Sequence, residues 1–194
     1  GSEQFPAAEN TLGAVNATPN IGSVVITEIM YNPATLAGDD EFIEIKNISD
    51  SAVALYDPLN TANNWRIEGI NFILNGVQPT LAPGEIAIVA QTVGATFLAN
   101  HPGVPVGTQI FGPYPNSSLS NGGEEVALQR PESLDDVDPN KIAYINVDVV
   151  QYDNSSPWPT QADAGGRSLV RIDPEVYLRL HRRRNPGERS AGAY

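Results

Sequence analysis

The sequence predicts an all-β fold, a sandwich of about eight or nine antiparallel strands with one short helix. Three observations lead there. Sixteen prolines and seventeen glycines are spread along 194 residues, so turns cut the chain into many short elements. The runs between them are short, rich in β-branched residues and bounded by turn residues, as at Val24–Pro33 and Asp40–Ser49. Only one stretch, Thr92–Asn100, carries a helical pattern.

Residues 1–22 are small and polar with no sustained period, and read as a leader or inter-domain linker with a short edge strand near Thr11–Asn16. Residues 23–174 make the sandwich and 175–194 a basic C-terminal tail. Strand 24–31 is followed by a loop at 34–40. In strand 41–48, Ile43 and Ile45 fall on one face and Glu44 and Lys46 on the other, so the isoleucines face the core. Asp50-Ser51 turns into 52–56, and a polar loop, 57–64, delivers Trp65, which with Ile67 reads as core. Gly69–Leu74 continues as a strand. Pro83 and Gly84 suit the central positions of a type II turn, which launches Ile86–Ala90. That run is apolar on both faces and therefore central.

In the helix, Phe97 and Leu98 are the expected anchors, and Pro102-Gly103 ends it. Val104–Tyr114 is loop or edge. Leu119–Gly123 reads as a hairpin turn feeding Glu125–Gln129, with Val126 and Leu128 inward. After an acidic excursion at 132–140 comes the longest run, Ile142–Tyr152, with Tyr144, Asn146, Asp148 and Val150 on one face. Asn154–Ala164 is a loop carrying Pro157-Trp158-Pro159. Gly165-Gly166 opens a last strand, Ser168–Ile172, which Asp173-Pro174 stops.

A single domain of this length buries roughly 70% of the surface of its unfolded chain. The absence of cysteine excludes disulfides, thiolate chemistry and zinc-thiolate sites. No run of about 18 apolar residues offers a membrane-spanning helix. The net charge of −12 is uneven: residues 175–194 carry five arginines against two glutamates, +3, leaving 6 − 21 = −15 on residues 1–174. So acidic a body repels a polyphosphate, making nucleic acid a poor partner, and suits solubility, or capture of cations or basic surfaces.

Six stretches in order, ITEIMYNP at 26–33, DEFIEIKN at 40–47, Trp65 with Ile67, LAPGEIAIVA at 81–90, LSNGGEEVAL at 119–128 and SSPWPTQADAGGRSLVRIDP at 155–174, together resemble the lamin tail domain in its bacterial form. The resemblance implies an immunoglobulin-like β-sandwich, an accessory module of exported or surface proteins, and no catalytic residues. Two departures stand out: Pro131–Ile145 is longer than the usual hairpin, and the chain turns arginine-rich after Pro174.

The residues offer several chemical readings. Glu28 and Glu44 belong to strands expected to be neighbours, within reach of a shared proton or metal, or else turned to solvent or into strand hydrogen bonds. Asp136, Asp138 and Asn140 match the first three oxygen positions of a calcium loop, but Lys141 stands where its glycine should be and Val147 where its bidentate Glu should be. Asp135, Asp136, Asp138 and Asn140, with Asp148 nearby, are the candidate calcium ligands, against a merely solvated acidic loop. Otherwise no cofactor is expected. Asp39-Asp40-Glu41 reads as a solvated loop end, because successive strand side chains alternate.

His101 and His181 are the only histidines, and no nucleophile elbow, P-loop or zinc-binding helix motif occurs. No catalytic residue is assigned. Trp158, with Tyr152 and Tyr114, offers an exposed platform for a sugar ring or proline-rich peptide; alternatively Trp158 plugs one end of the sandwich. Arg182–Arg184 reads as a solvated tail, a lure for nucleic acid or membrane, or a strand lying on an acidic body. Asn47-Ile-Ser49, Asn116-Ser-Ser118 and Asn154-Ser-Ser156 fit the glycosylation sequon.

The function expected is a non-catalytic interaction module, extracellular or at the cell surface, with Gly1-Ser2 read as a cloning remnant in place of an export signal. Its partner is a protein or neighbouring domain. Self-association through an edge strand or the basic tail is a further route. A calcium-dependent carbohydrate-binding module and a metal-assisted hydrolase are the alternatives.

Overall fold

A computed structural model of the chain describes residues 22–34, 40–114, 118–132 and 142–174. The N-terminal leader and the edge strand expected in it, Asp39, Asn116, the acidic loop with Asp135, Asp136, Asp138 and Asn140, and the arginine tail lie outside the described residues. Thirteen short strands are present among those described, more than expected because several are fragments. They are β1 (Val24–Met30), β2 (Phe42–Asn47), β3 (Val53–Ala54), β4 (Tyr56–Asp57), β5 (Asn60–Asn64), β6 (Arg66–Glu68), β7 (Phe72–Ile73), β8 (Thr80–Leu81) and β9 (Ile86–Ala90). Helix α1 (Gly94–Asn100) is followed by β10 (Gln109–Phe111), β11 (Gly123–Glu132), β12 (Ala143–Asp153), a 3-10 turn at Thr160–Ala162 and β13 (Leu169–Val170).

Two sheets face each other. One has the order β10-β9-β2-β1-β13, the other β12-β11-β6-β7, and two-stranded pieces β3-β8 and β4-β5 flank them. All pairings are antiparallel except β10 with β9, which is parallel. The alternation read from β2 holds: Ile43 and Ile45 are fully buried between the sheets, while Glu44 and Lys46 lie on the outer face and are half-buried. Opposite them stand Trp65, Ile67, Val126 and Leu128 in one continuous core. Strand β9 is apolar on both faces because α1 lies on the outer face of its sheet. There Phe97 packs with Phe42, Ile88 and Ala90 in a second, smaller cluster.

The turn before β9 is as expected, with Gly84 at φ 75 and the Glu85 amide donating to the Ala82 carbonyl at 3.0 Å.

Other expectations are corrected. Asn60–Asn64 is not loop but a strand paired with β4, its side chains polar because it runs exposed. Gly69–Leu74 is not one strand: Gly69 and Asn71 have positive φ and turn the chain, so β6 and β7 form a hairpin. Leu98 is 43% exposed, leaving Phe97 as the helix anchor. Leu119–Gly123 joins no hairpin, because β10 before it belongs to the other sheet. It is instead a turn that hands the chain across, with the Gly123 amide donating to the Ser120 carbonyl at 3.2 Å. A side chain at Gly123, whose φ is 102, would meet the Tyr152 carbonyl oxygen at 2.6 Å.

The long run at 142–152 does not keep one face. A register shift opposite Leu128/Gln129 inserts one extra residue into β12, a β-bulge. Beyond it Asn146 lies on the outer face, where it accepts from Gln129, which in turn accepts from Arg66. Asp148 and Val150 point inward and are buried. A second shift, between Ile26 and Glu28 of β1, makes Thr27 the extra residue there.

The two irregular strands meet at a buried ion pair. Arg171 Nη2 lies 3.0 Å from both carboxylate oxygens of Asp148, and the Ile26 amide donates to Asp148 Oδ2 at 2.8 Å. Both side chains are almost wholly buried, so each charge depends on the other for solvation. Asp148→Ala is expected to cost about 3–5 kcal/mol in urea unfolding, because it leaves the Arg171 guanidinium buried without its counter-charge. Pairing Asp148→Leu with Arg171→Met should recover most of that loss. A single-variant cost below about 1 kcal/mol, as at an exposed pair, would show that the bridge does not hold the sheets together.

Candidate functional site

The aromatic candidates form no exposed platform. Trp158 is 7% exposed and Tyr114 and Tyr152 are each 2% exposed, all within the main core. Trp158 packs into the core with Ile26, Ile29, Val150 and Leu169, the plugging role, with the Trp158 amide held by the Ser155 carbonyl at 3.0 Å. Tyr152 stacks on Tyr31 at 4.7 Å between centroids.

The two tyrosine hydroxyls belong instead to a buried polar node. Glu41 was expected in a solvated loop end but is buried just before β2. One of its carboxylate oxygens accepts from the Leu119 amide at 2.8 Å and from the Tyr114 hydroxyl at 3.2 Å. The Tyr152 hydroxyl is shared between the Ser120 carbonyl at 2.8 Å and Glu124 Oε1 at 3.1 Å, and Glu124 also accepts from the Ser120 amide. Burial raises the Glu41 carboxyl above its usual range, against the two bonds it accepts. Burial, reinforced by the neighbouring carboxylates, also pushes both tyrosine hydroxyls up, keeping them neutral donors.

The carboxylate pair does come together. Glu28 and Glu44 are register partners on β1 and β2, on the outer face of the five-stranded sheet. Neither hangs free: Thr27, the bulged residue, donates its hydroxyl to Glu44 Oε1 at 2.6 Å, and Ser168 donates to Glu28 Oε1. Burial is the main cause that raises the Glu28 carboxyl. The Ser168 bond opposes it, the Glu44 charge adds to it, and His101 opposes it more weakly. His101 caps the end of α1, its ring 4.3 Å from that of Phe97 and its Nε2 3.8 Å from Asp40 Oδ1. Asp40 in turn accepts from the Asn100 side chain at 2.8 Å.

Among the described residues no group of three or more His, Asp or Glu side chains is placed to hold a metal ion. Asn47, the first residue of a glycosylation sequon, is fully buried. Its amide nitrogen lies within 3.1 Å of the Ser51, Leu81 and Ala82 carbonyls, and its oxygen accepts from Ser49. Reading the sequence missed this, since only the tertiary fold brings 81–82 to 47. What the assembled residues do chemically is fasten turns and sheet ends, while Glu28 and Glu44 stand as a like-charged pair on the outer face of the five-stranded sheet.

The model of the lamin tail domain family matches residues 17–153, well over half of the chain. It ends before Trp158, although Trp158, Ala162 and Leu169 pack into the same core. Neither the curated proteins nor the solved structures contained a match.

Because Glu28 is raised above 4.5 in the folded chain, the fold binds that proton more tightly than the unfolded chain does. Stability from this group is then greatest below the unfolded value and declines as pH rises through the folded one. Glu28→Gln keeps an acceptor for Ser168 and removes the charge. Melting curves from pH 4 to 8 should show the variant more stable than the parent at neutral pH, with the gap closing toward pH 4. A variant less stable at pH 7 would mean the carboxylate's bond to Ser168 outweighs its burial.

Proposed function

Since the chain belongs to the lamin tail domain family, we propose that it is a non-catalytic interaction module that anchors or positions a partner protein or neighbouring domain. We place it in an exported or surface protein of a bacterium. One observation carries the reading: the side chains with chemical potential are spent on holding the sandwich together. Glu41 with Tyr114 and Asp148 with Arg171 are buried in mutual bonds, Tyr152 is held by Ser120 and Glu124, and Asn47 fastens a turn. A scaffold so tied presents rigid outer faces and edges, which suit docking of another polypeptide.

Carboxylate-directed cross-linking in intact cells, read by mass spectrometry, tests this. Cross-links are expected from the sandwich to a polypeptide segment outside it, in molecules that added protease can reach from outside the cell. Turnover of phosphoester or glycoside substrates by the purified chain, abolished by Glu28→Gln or Glu44→Gln, would overturn it. Melting temperatures in millimolar calcium and in chelator are expected to coincide. A calcium-specific rise of about 6–12 °C, the effect of a ligand at a hundredfold its dissociation constant, would instead favour a calcium-dependent carbohydrate-binding module.

A further inference from the structure

We propose that the outer edge of β13 takes an added strand from a partner protein, one that alternates apolar and basic residues; this rests on the reading of the chain as an interaction module. Strand β13 ends the five-stranded sheet, with Val170 opposite Glu28 and Leu169 opposite Ile29. The Arg171 amide donates to the Thr27 carbonyl at 2.8 Å, so the residues on either side of Val170 turn their backbone groups toward β1. By the same alternation the N–H and C=O of Val170 point away from β1. Leu169 and Arg171 bury their side chains, whereas Val170 is 52% and Ile172 62% exposed on the outer face. Two β-branched side chains beside an edge with no paired strand among the described residues form a template for strand addition.

Near two of the other sheet edges, side chains of this chain bond neighbouring backbone carbonyls. At β10, the Gln109 side chain donates to the Thr80 carbonyl at 2.7 Å. Just past β7, Asn64 donates to the Leu74 carbonyl at 2.7 Å.

Charge selects the occupant. The outer-face row across the sheet runs Val170, Glu28, Glu44, so an added strand continues that row one position beyond Val170. Strands lie about 4.8 Å apart, and an arginine or lysine opposite Val170 can lay its stem over the valine and bring its charge to Glu28. Basic stems on that face would also cover Ile172, while the apolar residues, on the opposite face of the added strand, would continue the inner row of Leu169. An acidic strand would meet two like charges and the net charge of −15 on residues 1–174.

The test is titration of a fluorescent eight-residue peptide of alternating valine and arginine with the full chain, followed by anisotropy and by backbone amide shifts. Saturable binding is expected, with the largest shifts within residues 168–172. Val170→Lys should weaken it about tenfold or more, and Glu28→Gln should weaken it less and flatten its salt dependence. Because the amide shifts locate the site in the unaltered chain, the result does not depend on a variant folding. No saturable binding overturns the proposal, including the case where residues 175–194 already occupy the edge. Equal binding of a valine–glutamate peptide, shifts centred elsewhere, or self-association abolished by Val170→Lys also overturns it. Cellular cross-links to a partner without peptide binding would remove this edge and leave the module standing; peptide binding without cross-links would do the reverse.

Discussion

The bridge between Asp148 and Arg171 is the constraint around which the two sheets are arranged. Packing sheets face to face leaves a problem wherever a short strand runs out, because the neighbouring backbone loses its ladder partner inside the core. Strand β13 is only two residues long, and the Ile26 amide of β1 lies just past its reach. Asp148 supplies the acceptor from the opposite sheet, and Arg171, leaving β13, supplies the counter-charge. The bulges in β1 and β12 belong to the same arrangement. Each extra residue changes the local twist, and that in β12 turns Asp148 inward, although strict alternation would place it with Asn146 on the outer face. An apolar pair of similar volume would supply most of the same stability, short of the bond to the Ile26 amide. What the ion pair adds is a unique register, since sliding either strand by one residue would strand a charge in the core.

Glu41 does similar work elsewhere in the sandwich. The chain leaves β10 in one sheet and must enter β11 in the other, and the crossing segment carries backbone donors into the interior. Glu41 receives one of them from Leu119 and holds Tyr114 beside it, while Glu124 receives the Ser120 amide. The tyrosines contribute apolar rings to the core and direct their hydroxyls to these acceptors. Residue types usually sought in active sites are here consumed by a crossover.

These details set the limits of what the sequence revealed. Strands with strong alternation or continuous apolar character, β1, β2, β9 and β12, were legible because burial of one or both faces is written directly in residue type. Strand β5 was not: Asn60, Thr61, Asn63 and Asn64 are turn-favouring residues, and pairing with β4 on an exposed surface overrode that preference. The inward turn of Asp148 depends on a bulge, and a bulge leaves no mark on hydrophobic periodicity. Asp148 and Arg171 stand 23 positions apart and Glu41 and Leu119 stand 78 apart, so neither contact has a local signal. Pro157-Trp158-Pro159 reads as a plug before a platform, and its place in the core with Val150 and Leu169 makes it the plug.

Where so many of the interior's charged and hydroxyl groups are bonded to one another, selection for binding has the outer faces and edges to work on. The two sheets differ in this respect. On the outer face of the four-stranded sheet, Arg66 lies 4.2 Å above the Tyr144 ring and bonds to Gln129, which bonds to Asn146, a ladder whose members satisfy one another. On the five-stranded sheet, α1 covers only the part around Phe42 and Ile88, and the remainder carries two carboxylates directly opposite each other. Like charges in that position disfavour the fold, and burial adds to the cost at Glu28. A face that served stability alone would be better with glutamine at either position. A basic group brought by a second polypeptide would turn the same two carboxylates from a cost in the free module into a gain in the complex, so the argument for binding is strongest where the argument from stability is weakest.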